Sequence, residues 1–338
     1  MKNAKREPEG VSLITTERNE KDAIEEFIKS ALSQSRPPDE IIIADADSND
    51  GTQEIIQSYI DNGAPIKIVL TPGNRSVGRN AAVKKAQYPI IACTDVGCRL
   101  DFNWLENLTK PFSDSSIHTV SGWFEADPKT KFEEISAALM IQNTKEIDIN
   151  KWLPSSRSIA FSKTAWGKSG GYPEYREFGN SLIALKCGGE DTIFDQRLIK
   201  SGYKFANGLK AVVYWRPRKN ILEFYKQYHM YALGDGIRIV DLKRFVILAL
   251  DYSISTLSLL SLMLLPVPVL ILLSMFALTY KIFRTLRRVY GPWKKFRSFY
   301  SLLLMMALII TYDVAQLFGY WTGVLHRLSI PKKQRRIE

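Results

Sequence analysis

The 338-residue sequence predicts an α/β domain built on a mostly parallel sheet, followed by helices that enter a membrane. Two observations carry this. Between residues 11 and 95, short apolar runs rich in β-branched residues alternate with amphipathic helical spacing. That is the pattern of strands buried on both faces beneath covering helices. Farther on, residues 245–280 and 299–325 are long and nearly free of charge, and each exceeds the roughly 20 apolar residues that cross a bilayer core.

The elements follow in order. VSLITT (11–16) reads as the first strand, with a helix from about Lys21 to Ser33. EIIIAD (40–45) is the second strand, and a helix starts after Gly51-Thr52. IKIVLT (66–71) is the third, followed by a helical pattern through SVGRNAAVKKA, and IIACTD (90–95) is the fourth. The soluble domain is expected over 11–240, behind a disordered stretch at 1–10 that has no apolar signal-peptide core. It is therefore expected to stay in the cytoplasm. The membrane region, 241–326, divides into helices at about 245–265, 267–281 and 299–325, with a basic loop at 281–298 and a basic tail at 327–338.

The net charge of +11 would suit a nucleic-acid binder, but its location argues against one. Residues 281–298 carry seven basic side chains and no acid, and residues 326–338 add five more. Basic residues beside apolar helices mark cytoplasmic loops and meet anionic headgroups, so lipid is the expected partner and nucleic acid is not. If 245–280 is a hairpin broken at Pro266 and Pro268, a single crossing at 299–325 carries the basic tail to the wrong side. Either the last segment lies in the interface, or 245–280 is not two full crossings. Cys93, Cys98 and Cys187 form no CxxC pair, and His118, His229 and His326 are scattered. Neither a disulfide framework nor a zinc site is indicated.

Chemistry concentrates in three places. Asp45 and Asp95 close two predicted strands, and in parallel sheets ligands bind beyond those carboxyl ends. In CGGEDTIFDQRLIKSGY, Gly188 and Gly189 lead into the adjacent acids Glu190 and Asp191 at the mouth of a helix. Helix capping explains one carboxylate there; it does not require two.

VSLITTERNE, EIIIADADSNDGT, NRSVGRNAAVKKA, IIACTDVGCRLDFNWLENL and GGEDTIFDQRLIKSGY stand in the order and spacing of family-2 glycosyltransferases, which the chain resembles over about residues 11–235. The resemblance implies a GT-A nucleotide-diphospho-sugar transferase fold. It implies a nucleoside pocket lined by Thr16, Arg18 and Glu20, with Asp45 accepting a hydrogen bond from the base, usually uracil, and Arg79 contacting the nucleotide. Asp95 holds the first place of the DxD motif, whose acids bind Mg2+ or Mn2+ at the diphosphate. Gly97 replaces the second acid, which leaves three options: Asp101 as substitute ligand, Asp95 acting through water, or arginines in place of metal. Asp191 is the expected base that takes the acceptor hydroxyl's proton, with Glu190 orienting it, and Gly188 and Gly189 leave room for a sugar ring. A like-charged neighbour and partial burial would raise the pKa of that base.

QYHMYALG resembles an eroded QxxRW motif: Gln227 and Tyr231 would meet the acceptor, Met230 replaces the arginine, and Arg216 or Arg218 would compensate. The same stretch also reads as an amphipathic helix at the membrane surface. Trp123 and Trp152 read equally as acceptor-cleft or core aromatics. The resemblance thus implies a multi-pass cell-membrane enzyme, inverting, with a nucleotide-sugar donor (UDP-linked first) and a polyprenyl-linked oligosaccharide or polysaccharide acceptor. A polyprenyl-phosphate sugar synthase and a silent nucleotide-sugar-binding protein are the alternatives.

Overall fold

The computed structural model describes residues 10–141, 148, 152–174, 188–264 and 267–330. The expectations for residues 1–9 and 331–338, and Cys187, lie outside them. The chain forms two compact units: one takes residues up to Asp127, 142–185 and 189–216, the other 128–141, 186–188 and everything from Pro217. The first unit runs to Arg216, and residues 128–141 fall in the second.

The first unit is an eight-stranded sheet in the order β3-β2-β1-β4-β7-β6-β8-β5. Its strands are β1 (Val11–Glu17), β2 (Glu40–Asp45), β3 (Ile66–Leu70), β4 (Ile90–Cys93), β5 (Cys98–Leu100), β6 (Thr119–Ala126), β7 (Ile159–Ser162) and β8 (Phe205–Trp215). β3, β2, β1 and β4 run parallel, β6 pairs parallel with β8, and β7 enters antiparallel between β4 and β6. Covering helices are α1 (Lys21–Leu32), α2 (Thr52–Asp61), α3 (Arg75–Lys85) and α4 (Trp104–Thr109); α5 (Lys131–Met140) belongs to the second unit, and α6 (Lys163–Ser169) and α7 (Glu190–Lys200) complete the first.

Two cores follow from strand alternation. Leu13, Ile41 and Ile43 pack with Ile24, Phe27 and Trp104 on one face. Ile14, Ile42, Ala44 and Ile91 pack with Val83, Phe161, Phe194 and Leu198 on the other. α3 lies close because Gly78 faces β1: a Cβ there would come within 2.8 Å of Thr16 Cγ2. Asn74 caps the same helix by accepting from the Val77 N–H at 3.2 Å, satisfying one orphan donor.

In the second unit, α8 (Ile221–Arg238), α9 (Leu242–Leu264), α10 (Pro268–Trp293) and α11 (Phe299–Ser329) follow in sequence. Among the described residues, three stretches are long and apolar enough to cross a membrane: Leu242–Met263, Pro268–Trp293 and Phe299–Ser329. The segment read as a basic loop from 281 is helical through Trp293. Thr285 and Val289 lie buried on it, so a packed stripe persists among the charges and the helix continues. α11 packs on α8 through small residues. Cβ atoms added at Gly319, Gly323 and Gly236 would meet the carbonyl oxygens of His229, Leu233 and Tyr320 at 2.3, 2.3 and 2.0 Å. This is the backbone-to-backbone approach that small-xxx-small spacing allows.

Candidate active site

The loops that follow β1 and β2 are sewn together at the carboxyl edge of the sheet. Asn19 N–H donates to Ser48 Oγ at 2.9 Å, Asn49 N–H to Asn19 Oδ1 at 2.9 Å, and Glu20 N–H to Thr52 Oγ1 at 3.0 Å. Asn19 (φ 57°) and Asp47 (φ 68°) supply the left-handed turns, which Asn and Asp tolerate. Glu20 thus starts α1 through its main chain, Thr16 packs on Gly78, and Arg18 is exposed.

Asp45 is fully buried and accepts the Ser48 N–H at 2.8 Å. The parallel register places Glu17 directly beside it. Glu17 accepts from Ser48 Oγ at 2.9 Å, while its Oε1 and Asp45 Oδ2 are buried without partners. Burial first, then the charge of Asp45, push the Glu17 carboxyl up to about 7. One shared proton would satisfy both orphan oxygens.

Arg79 organises the second half of the site. Its side chain is 2% exposed, and it donates from Nη1 to Glu190 Oε1 at 2.9 Å and from Nη2 to Asp95 Oδ1 at 2.8 Å. The Tyr172 ring lies 5.3 Å from the guanidinium carbon. Burial opposes the charge of Arg79, and Asp95 and Glu190 restore it. Burial also pushes Asp95 and Glu190 up, but Arg79 holds both below the usual carboxylate range, helped by Arg75 at both and Arg157 at Asp95. Asp191 is held the other way: burial and then the neighbouring Glu190 raise its carboxyl. It opens α7 behind Gly189, whose φ of 90° is a left-handed value that suits glycine. One turn on, Asp195 is fully buried with neither carboxylate oxygen bonded, and burial pushes it well up.

The structure therefore groups Arg79, Asp95, Glu190 and Asp191, and separately Glu17 and Asp45, at the carboxyl ends of parallel strands. Glu17, Arg75, Arg157 and Asp195 are additions. Arg75 was findable, since it stands four residues before Arg79 on the same helical face. Arg157 was not: it stacks over Trp215 at 4.6 Å from an irregular segment with no periodic signal. Trp123 is buried, with its ring 4.7 Å from that of Trp152. In the second unit, Gln227 accepts from Arg218 Nε at 2.8 Å and donates to the Tyr231 hydroxyl at 3.1 Å. Gly188 is not open space for a sugar, because a Cβ there would lie 2.8 Å from Tyr231 Cδ1.

Asp101, expected as a substitute ligand, has other partners. That carboxylate accepts from the Asn103 N–H at 3.0 Å and the Tyr214 hydroxyl at 3.4 Å. It stands beyond β5, whose three residues carry the chain about 10 Å. Among the described residues no group of three or more His, Cys, Asp or Glu side chains could hold a metal ion. A Cβ at Gly97 meets nothing within 4 Å. Asp95 is thus the one acid at the motif position, and one of its oxygens already serves Arg79. Among the described residues, this set by itself offers a cation one carboxylate.

Residues 12–171 match the profile of glycosyl transferase family 2. The chain is 40% identical over 87 residues to TuaG of Bacillus subtilis, a protein named for teichuronic acid biosynthesis; the match covers 25% of this chain and 34% of that one. It is 25% identical over 202 residues to the O-antigen chain rhamnosyltransferase WbaN of Salmonella anatum, covering 56% of this chain and 60% of that one. The chain thus spans about a third and three fifths of these relatives. A solved mannosyltransferase of Pyrobaculum calidifontis, PcManGT, in complex with GDP-Man and Mn2+, superposes with a TM-score of 0.58 at 16% identity, over 92% of this chain and 87% of that one. The fold is GT-A-like. Residues 12–171 thus carry a glycosyl transferase family 2 domain.

Proposed function

We propose that the protein transfers a sugar from a nucleotide-sugar to the hydroxyl of an acceptor held at a membrane, with inversion at the anomeric carbon. One observation carries the reading: Arg79 takes both Asp95 and Glu190, which leaves Asp191 as the adjacent carboxylate bonded to no cation among the described residues. In this mechanism Asp191 accepts the hydroxyl proton while the acceptor oxygen bonds to the anomeric carbon. The bond from that carbon to the phosphate oxygen breaks, and the nucleoside diphosphate leaves with the electron pair. A raised carboxylate suits a base working near neutral pH. Arg79 and Arg75 supply positive charge where the diphosphate develops its own.

Asp45 and Glu17 would read the nucleobase, uracil first, and Gln227 and Tyr231 the acceptor. The PcManGT complex contains Mn2+; a cation bound here would share Asp95 with the donor's phosphates. The apolar helices fit an acceptor that is a polyprenyl-linked oligosaccharide or polysaccharide, with the catalytic domain on the cytoplasmic face of the cell membrane.

The test is nucleotide release from UDP- and GDP-sugars with membranes as acceptor. Asp191→Asn should lower turnover by about 10²–10⁴ while nucleotide affinity stays within about twofold. Equal loss of both would remove Asp191 from the chemistry. In the wild type, kcat/KM should rise with pH as Asp191 ionises, with its midpoint above the ordinary aspartate range.

A further inference from the structure

α9, α10 and α11 share a polar face that their apolar sequences do not require. Arg288 on α10 donates to both oxygens of Asp313 on α11, at 2.9 and 2.7 Å, and the Tyr252 hydroxyl on α9 donates to the same carboxylate at 3.2 Å. Lys281 pairs with Asp251 across α9 and α10, and Arg284 joins that acid at 3.2 Å. Arg244 donates to two neutral groups, the Tyr312 hydroxyl and Gln316 Oε1, each at 3.0 Å, and Asp235, which is already paired with Arg238, lies within its electrostatic reach. Among the described residues, Arg244, Lys281, Arg284 and Arg288 thus stand against the hydrogen-bonded carboxylates Asp251 and Asp313, with Asp235 beside Arg244 taken up by Arg238.

The depth of this face is also defined. Beyond Asp251 and Lys281, residues 252–264 and 268–280 carry no charge, and each arm of 13 residues extends about 20 Å as helix. The cations lie from that level back to Arg244 and Arg288, seven residues or about 10 Å farther along each helix. With the uncharged arms in hydrocarbon, they form a collar at headgroup depth.

We propose that this face is a binding site for the phosphate of an anionic membrane lipid, with Arg244 and Arg284 as its principal ligands. Guanidinium groups pair bidentately with phosphate oxygens, and basic pockets between membrane helices suit such headgroups. The site deepens the proposed function by naming a lipid phosphate as the acceptor's membrane end, but lipid retention is read without turnover, so the two can fail separately.

The test is native mass spectrometry of the full chain in neutral detergent, titrated with phosphatidic acid, phosphatidylcholine or inorganic phosphate. Phosphatidic acid should bind in preference to phosphatidylcholine and resist displacement by inorganic phosphate. Arg244→Gln and Arg284→Gln should each weaken it about tenfold, one charged contact's worth, and Arg244→Lys should recover part of the loss. Lys243→Gln, an exposed neighbour on α9, should change it less than twofold. Equal binding of phosphatidylcholine, displacement by inorganic phosphate, or an equal loss in Lys243→Gln would overturn the site. So would unchanged binding in both arginine variants.

Discussion

At Glu17 and Asp45, parallel register forces two acids together where each would otherwise take its own water. Folding holds a proton on Glu17 that the unfolded chain would release near its ordinary value of 4.5. Stability from this proton is present in full at low pH and is lost as pH rises from about 4.5 through about 7. The shift corresponds to about 3 kcal/mol. Glu17→Gln cannot lose it, so between pH 5 and 8 the wild type should lose about 2 kcal/mol relative to that variant in urea unfolding; parallel curves would refute the shared proton. Gly97 poses a different question, because space is not what excludes an acid there. Gly97→Asp should fold normally and tighten Mn2+ about tenfold in the presence of UDP by added ligand charge, as read by electron paramagnetic resonance. An unchanged Mn2+ affinity would show that the turn aims position 97 elsewhere.

Among the elements, α3 matters most, since it carries Arg79 to the carboxylates and has little room against β1. Gly78→Ala should cost about 1–3 kcal/mol by overpacking against Thr16. Adding Thr16→Ser removes the Cγ2 methyl that clashes and should recover most of that loss in thermal unfolding. Loss with no recovery would mean that the helix backbone, not this contact, is disturbed. β1 to β4 were legible because each is a short apolar run rich in β-branched residues, and the helices after β2 and β3 open on Gly51 and on the capping Asn74. β5 to β8 were not. β5 and β7 have only three and four residues, and the longer β6 and β8 meet through a register shift between Ser121 and Trp123 that interrupts their regular pairing. The acid pair on α7 was legible as a motif. The role of Arg79 in dividing it, pairing with one acid and leaving the other, depends on a contact 111 residues away in sequence, which no local pattern encodes.

On the scale of the whole molecule, the uncharged arms of α9 and α10 are about 20 Å long, against a hydrocarbon core of about 30 Å. The hairpin should therefore dip into the bilayer and return, which keeps the basic half of α10 on the side it started from. In sealed vesicles, Val267→Cys should escape an impermeant maleimide from either side, and Lys294→Cys should react from the soluble domain's side only. Reaction of Val267→Cys from the opposite side would establish a full crossing. The glycine seam between α8 and α11 has a practical corollary. A fragment stopped at residue 240, where the composition changes, would end with α8 bared along the groove that Gly319 and Gly323 occupy. It would also strand α5 without Leu308 and Ile309, its companions in a shared apolar cluster. Such a fragment should precipitate or demand detergent even though every charged group around Arg79 is present, so insolubility of the trimmed protein would report a lost companion helix rather than a misfolded sheet.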